Sequence, residues 1–447
     1  MSFGENVAAL VEASGDPVLA RCPRWERIPL GDVASILNGY TWKSEHFTRS
    51  DGVPLIRIRD VTTGDTETRY GGPVVDGFWI EDGDLLIGMD GDFNLRRWRS
   101  ERGLLNQRVC RVTTDPAAYD DYLLEYALPG YLRLINESTS SVTVKHLSSR
   151  TLAEIPLPLP PQAEQRRIVA KLNALTARLA RARAELDRVP VLARKLRQNV
   201  LSRAFSGVLA GAHQVERRPC SDWIESTFYG PRFAKEDYVS VGIPTARTTD
   251  FLPDGTMSLE DAPRVVCSDE DYERWGLVDG DLLVTRTGSI GKCAVYTANN
   301  GRVLPSAYLI RVRFSESIIP RFAWMMFASP EGQVYLGVNA RAVTQPNINA
   351  PAIRSLPFPV LTPAQQRATV AAVDAAFARA DRLEAEAARA RALLDRLDAA
   401  ILAKAFRGEL VPQDPNDEPA SILLARIRAQ RAAAPKPNRR HPAKAGA

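Results

Sequence analysis

Residues able to do covalent or metal chemistry are few and scattered in this chain. Four histidines (His46, His146, His213, His441) and five isolated cysteines (Cys22, Cys110, Cys220, Cys267, Cys293) form no Cys-x-x-Cys or His-x-x-x-His pair. A zinc site is therefore not expected. No Gly-x-Ser-x-Gly nucleophile elbow or Cys/His signature occurs. The run Thr287-Gly-Ser-Ile-Gly-Lys292 imitates a phosphate loop, but Arg286 stands where its first glycine belongs and Cys293 where Ser or Thr should follow the lysine. A glycine-rich cofactor loop and an Asn/Asp-Pro-Pro-aromatic tetrapeptide, both needed by an amino-methyltransferase, are missing from the sequence.

What remains is recognition chemistry. Arg57 and Arg59, then Asp92, Asn94, Arg96 and Arg97 within a Gly-Asp-Phe-Asn loop region, and later Lys145 and His146, form the densest polar set of the first half. Arg247, Arg286, Thr287, Ser289, Lys292, Ser306, Gln345 and Asn347 fill the equivalent places of the second. Arginine pairs with guanine edges, Asn or Gln with adenine, and Ser, Thr or Lys with phosphate or base edges. The same segments also read as plain turns and solvated strand faces, Arg57 and Arg59 alternating on a strand among them.

These residues sit in a sequence written twice. Residues 155–209 align with 356–410 without a gap at a constant offset of 201, with 21 of 55 positions identical. Pro156/Pro357, Gln165/Gln366, Phe205/Phe406 and Gly207/Gly408 are among the matches. The preceding segments echo one another too: Gly52 to Asp60 resembles Gly242 to Asp250, and Asp82-Gly-Asp-Leu-Leu resembles Asp279-Gly-Asp-Leu-Leu. Each copy opens with prolines and continues as a heptad pattern. Ile168, Leu172, Leu175, Leu179, Ala182, Leu186 and Val189 mark the first seam; Val373, Ala376, Ala380, Leu383, Ala387, Ala390, Leu394, Leu397 and Ile401 mark the second. A Leu-rich stripe facing an Ala-rich one predicts close antiparallel packing. A helix over about 163–206 would be roughly 65 Å long. Pro190 predicts a kink in the first helix, and Gly207 and Gly408 predict left-handed C-terminal caps.

Short β-like runs (Val53–Ile58, Leu85–Ile87, Arg108–Val112, Leu282–Thr285, Leu309–Phe314) separated by Asp-Gly, Gly-Gly and Pro fill the rest. The fold class read from this is α+β: two α+β domains in pseudo-twofold repeat, each followed by a long helix, the helices forming an antiparallel coiled coil. The expected divisions are an N-terminal extension 1–20, domains at 21–155 and 211–355, helical spacers at 156–210 and 356–410, and a C-terminal segment 411–447 ending in a basic tail expected to be disordered.

A 447-residue chain with 45% apolar and 25% charged residues is ordinary globular material. No apolar run approaches the ~20 residues of a membrane span. With no basic leader at its start and an odd, scattered cysteine set, a reducing cytoplasmic location is expected. The net charge of +5 is unevenly placed. Residues 21–155 hold 17 basic and 20 acidic side chains and residues 217–355 hold 15 and 16, whereas 162–203 holds 11 and 3 and 426–447 holds 7 and none. The basic blocks suit a polyanion, or a solvated helix face.

The ordered set resembles the specificity (HsdS) subunits of Type I restriction–modification systems over residues 21–410. The motifs carrying the resemblance are Pro161-Gln-Ala-Glu-Gln-Arg-Arg-Ile-Val169, Pro363-Ala-Gln-Gln-Arg-Ala-Thr-Val370, Ala204–Leu209, Ala405–Leu410, the loop at Gly88–Asn94 and the loop at Arg286–Lys292. It implies a non-enzymatic, cytoplasmic, host-defence subunit that binds double-stranded DNA at a bipartite target, one half-site per recognition domain, with the gap set by the helix pair. It also implies two adenine-N6 methyltransferase (M) subunits and two restriction/translocase (R) subunits as partners. S-adenosylmethionine, ATP and Mg²⁺ would then belong to those partners and no cofactor to this chain. Candidate partner-binding residues are Gln165, Arg166, Arg178, Phe205, Gln366, Arg367 and Phe406; Arg167 and Arg181 also lie outside the seam. Two other readings stay open on sequence alone: a self-contained methyltransferase, which lacks its cofactor loop, and a coiled-coil scaffold with no DNA role.

Overall fold

A computed structural model describes residues 11, 19, 22–138, 145–211, 215–287, 291–340 and 347–433. The chain divides into two units, Met1–Arg183 with Arg391–Ala447, and Ala184–Ala390. Each of the two long helices, Gln162–Phe205 and Pro363–Phe406, has 44 residues and is shared between the units.

In the first unit a four-stranded antiparallel sheet runs in the order Ala34–Asn38, Val109–Thr114, Leu85–Gly88, Leu95–Arg97. Leu85–Gly88 is buried along its whole length, as a central strand covered on both faces must be. A second, five-stranded sheet joins Val53–Ile56 in parallel to Gly103–Leu105. The Pro-rich strand Pro156–Leu159 pairs antiparallel with Glu26–Pro29 and leads into the first long helix. The start of that helix packs against the end of the second: Ile168, Leu172 and Leu179 share one core with Ile401, Ala405 and Phe406. The helix Ala420–Ala433 inserts Leu423, Leu424 and Ile427 into the same core. The sequence places these residues only in a C-terminal segment, because a short Leu/Ile stripe beside a basic tail gives little periodicity.

The second unit repeats the plan. Its four-stranded sheet is ordered Ile224–Tyr229, Leu309–Phe314, Leu282–Thr285, Cys293–Val295. Pro357–Pro359 pairs with Arg217–Pro219 before the second long helix begins. Here Val200, Leu201, Ala204 and Phe205 meet Val373 and Phe377. In both units rising numbers on one helix meet falling numbers on the other, so the antiparallel pairing is seen twice.

Two expectations change. The strand expected over Val53–Ile58 ends at Ile56; Arg57 is the N-cap of the helix Ile58–Thr63, and Arg59 lies on that helix. Pro190 lies inside the first long helix, which runs as one element from Gln162 to Phe205. In the second helix Leu383 and Leu397 are 43% and 48% exposed. Glu384 and Asp398, one position on, instead bond to Arg197 and Arg183. Val373, Ala380, Ala387 and Ile401 keep the seven-residue spacing and are buried; the other seam position lies four residues beyond this series, at Phe377, Glu384 and Asp398, instead of three. Gly207 and Gly408 adopt φ of 80° and 71°, as left-handed caps require.

Candidate nucleic-acid interface

Each recognition domain is organised around an arginine–aspartate turn. The backbone N–H of Arg57 donates to Asp60 Oδ2 at 2.8 Å, and that of Arg247 to Asp250 Oδ2 at 2.7 Å. Both aspartates are buried, at 4% and 6% exposure, so the turn is fixed from inside while the arginine heads are left toward the surface. The Arg57 guanidinium lies 5.7 Å from the Phe47 ring centroid, whereas Arg247 closes on Asp250 and on the Asp261 carbonyl.

In the first unit Arg96 reaches across from strand Leu95–Arg97 and donates to the Val61 and Thr62 carbonyls at 2.7 and 2.6 Å. It thereby caps the helix carrying Arg59, whose guanidinium donates to Thr68 Oγ1. The neighbouring loop turns through Phe93, which has a φ of 50° and is buried. An L side chain at this φ is uncommon, and burying the ring holds Asp92 and Asn94 exposed on either side of it. They edge a recess of about 430 Å³ that also contains Arg133 and Asn136. Asp90 accepts from His146 Nδ1 at 2.7 Å and from Arg108. Burial alone would raise its carboxyl pKa, but these two hydrogen bonds outweigh that and hold it below the usual range. Lys145 is occupied by Asn136, donating to its backbone oxygen at 2.7 Å and its Oδ1 at 2.8 Å. Arg97 points the other way: it is buried and held by Asp121, Glu125 and the Gly83 carbonyl, a structural rather than a reading position.

In the second unit the structure brings Arg286, Thr287, Ser306 and Asn347 together. Arg286 donates to Asn347 Oδ1 at 3.4 Å, and its guanidinium stacks 4.9 Å from the Tyr229 ring centroid. Arg286, Thr287 and Ser306 line a cup of about 480 Å³ with Arg232, Phe233, Tyr238 and Tyr308. Ser306 Oγ is buried without a hydrogen-bond partner. Tyr308 is 61% exposed and Tyr238 41%, large apolar rings left open to solvent. Lys292 lies apart, on a recess of about 270 Å³ with Trp324 and Gln333. Ser289 and Gln345 lie outside the described residues. The aromatic residues of this cup were not singled out from the sequence; the signal was Phe228-Tyr-Gly-Pro-Arg-Phe233, aromatic residues interleaved with a basic one. Guanidinium groups pair with base edges in a duplex groove, exposed rings pack against apolar base-edge groups such as the thymine methyl, and unpaired hydroxyls accept or donate at base edges or phosphates.

The residues expected on partner-facing helix surfaces divide. Arg166, Arg178 and Arg367 are exposed. Phe205 and Phe406 are buried core residues, and Phe205 is covered by the Arg217 guanidinium 4.4 Å from its ring centroid. Arg167 is tied to Asp417 at 3.0 and 2.5 Å, fastening the C-terminal segment to the first helix. Gln165 and Gln366 are interior clamps instead of surface contacts. Gln165 accepts from the Asp120 N–H at 2.7 Å and donates to the Ala118 and Pro160 carbonyls at 3.2 and 3.0 Å. Gln366 makes the same three bonds, with the Ile319 N–H at 2.9 Å and the Ser317 and Leu361 carbonyls at 2.9 and 3.1 Å. A buried amide is retained when all its polar groups find partners, so the repeated Gln is the bolt between each helix start and its recognition domain.

No three His, Cys, Asp or Glu side chains converge as a metal site among the described residues. No described helix is long and apolar enough to cross a membrane.

Duplicated α+β domains bearing arginine and aromatic recognition surfaces, bolted to an antiparallel helix pair, define a nucleic-acid recognition subunit. The chain belongs to the Type I restriction enzyme specificity subunits. It is 36% identical over 97% of its length to the EcoBI specificity subunit of Escherichia coli, of which it covers 98%. It is 27% identical over 92% of its length to the EcoKI specificity subunit of Escherichia coli strain K12, covering 96% of that chain. The family model described as the Type I restriction modification DNA specificity domain matches residues 23–188. The HsdS subunit of Thermoanaerobacter tengcongensis shares the fold, with a TM-score of 0.56 at 21% identity over 87% of this chain and 98% of that one. A chain of the type I R-M system solved in a study of complex assembly superposes with a TM-score of 0.65 at 21% identity, covering 87% of this chain and 99% of that one. Its role is therefore sequence-specific DNA recognition within a Type I restriction–modification complex.

Proposed function

We propose that the chain reads a bipartite double-stranded target, one half-site with each recognition domain, and leaves catalysis to its partners. The observation that carries this is the doubled recognition domain. The same sheet order, buried Arg–Asp turn and Gln bolt recur in both units, while the outward side chains differ. Two frames of one design with unlike surfaces suit two unlike half-sites. The helix pair sets the number of unread base pairs between them, since half-site spacing follows domain spacing. Two adenine-N6 methyltransferase subunits and two restriction/translocase subunits complete the assembly, and S-adenosylmethionine, ATP and Mg²⁺ are bound by them. The near balance of charge in the recognition domains means that phosphate attraction comes largely from the basic first helix and the partners.

Arg286→Ala and Tyr308→Ala in the assembled methyltransferase test this reading. Each is expected to weaken binding about tenfold or more, through bases of one half-site only, with the other half read as before. Equal weakening on every DNA sequence would instead make the cup a phosphate contact.

A further inference from the structure

The two long helices are held by arginine–carboxylate clusters whose distribution between the repeats is one-sided. In the first unit Arg183 donates to Asp395 Oδ1 at 2.9 Å and Asp398 Oδ2 at 3.0 Å. In the second, Arg197 donates to Glu384 Oε2 at 2.7 Å and also to Asp381. At the repeat offset of 201, Arg183 corresponds to Glu384, Arg197 to Asp398 and Arg194 to Asp395. The two clusters are thus the same repeat contact seen from opposite ends. Copy one supplies every arginine and copy two every carboxylate.

This has a consequence for pairing. If a second copy-one helix replaced the copy-two helix at equivalent positions, Arg183 would face Arg194 and Arg197 at both ends of the seam. If two copy-two helices paired, Glu384 would face Asp395 and Asp398 at both ends. With Asp381, these seven positions carry the whole charge difference between the helices: Gln162–Phe205 has eleven basic and three acidic residues and Pro363–Phe406 seven and six, but without them the counts are eight and three against seven and two. The apolar seam discriminates less, because Leu, Ala and Val occupy it in both copies. We infer that the helical repeats are coded by charge as unlike partners, so that helix one accepts a helix two, its own or that of a second copy of this chain, and rejects another helix one. Two chains joined through these helices can then associate only by reciprocal exchange.

The test uses full-length chains and needs no DNA. An acidic variant carries Arg183→Glu, Arg194→Glu and Arg197→Glu. A basic variant carries Asp381→Arg, Glu384→Arg, Asp395→Arg and Asp398→Arg. A third chain carries all seven changes, and a neutral control carries Gln at positions 183, 194 and 197. The acidic and basic variants should each melt about 5 °C or more below the parent and below the neutral control. The seven-fold reversal should recover most of the loss as a monomer. Co-expression of the acidic and basic chains should give a one-to-one heterodimer by native mass spectrometry, with neither homodimer. Failure of the seven-fold reversal to recover, or an acidic variant no less stable than the neutral control, overturns the inference. Homodimers of either single-sign variant overturn it as well.

Discussion

Replacing Gln165 by Leu removes a single amide from a site that is closed to solvent. The change keeps the side chain's volume but strands the Asp120 N–H and the Ala118 and Pro160 carbonyls, whose bonds to Gln165 are 2.7, 3.2 and 3.0 Å long. A buried polar group left unpaired costs about 1–3 kcal/mol. With some relief of the two carbonyls by local movement, the loss is about 3 kcal/mol in total. At 2–4 °C per kcal/mol for a unit of this size, the transition should fall by roughly 6–12 °C. Thermal unfolding of the isolated chain followed by circular dichroism measures this, with Gln366→Leu as the matched change in the second unit. Gln165→Glu keeps the acceptor for Asp120 but loses both donations, so it should also destabilise. A fall of less than about 2 °C for both Leu variants, with a defect seen only on assembly, would refute the bolt and return these glutamines to a partner surface.

Other consequences follow from burial and charge. All five thiols are free. Burial pushes Cys110 and Cys220 up to about 12 and Cys293 higher still, whereas Cys267 is only partly covered. Iodoacetamide at pH 8 should therefore label Cys267 first and the other four only on unfolding, as peptide mass mapping would show. The Arg167 hydrogen bond holds the Asp417 carboxyl below the usual range. A carboxylate with a depressed folded pKa contributes stability above its unfolded value of about 3.9, and that contribution is lost as pH falls through the folded value. Acidification below about pH 4 should thus loosen the attachment of Ala420–Ala433 in the parent, a helix that its buried Leu423, Leu424 and Ile427 still hold. Asp417→Asn should show weaker protection of this helix already at pH 7 and a flatter acid limb, measured by hydrogen exchange. Arg97→Ala leaves Asp121 and Glu125 without their shared cation. It should cost about 2 kcal/mol, discounted from buried-pair values because both carboxylates are partly exposed. Chemical denaturation would read this loss.

Much of this architecture was legible because it was written twice. A gapless repeat with prolines before and glycines after each copy fixes two long helices, and the echo of Gly52–Asp60 in Gly242–Asp250 ties the domains together before any coordinate is seen. What escaped depended on distant partners. Gln165 and Gln366 read as exposed helix residues, since nothing local shows that the backbone near Asp120 or Ile319 closes over them. Leu383 and Leu397 read as seam residues by heptad count, yet Glu384 and Asp398 take those places because Arg197 and Arg183 lie opposite. In the candidate site, Arg286, Thr287 and Ser306 line one cup, with Asn347 bonded to Arg286, while Arg97, chosen by the same composition argument, is a core ion-pair residue. Composition cannot tell an arginine facing Asp121 from one facing solvent; the sheet registers decide it.

The central claim, that this chain directs methylation to a two-part target, is tested most directly by mapping N6-methyladenine across the host genome with and without the gene, after confirming its expression. The account predicts one motif of two short half-sites separated by a fixed run of unspecified bases, methylated only when the gene is present. Survival of every methylated motif after deletion would contradict it.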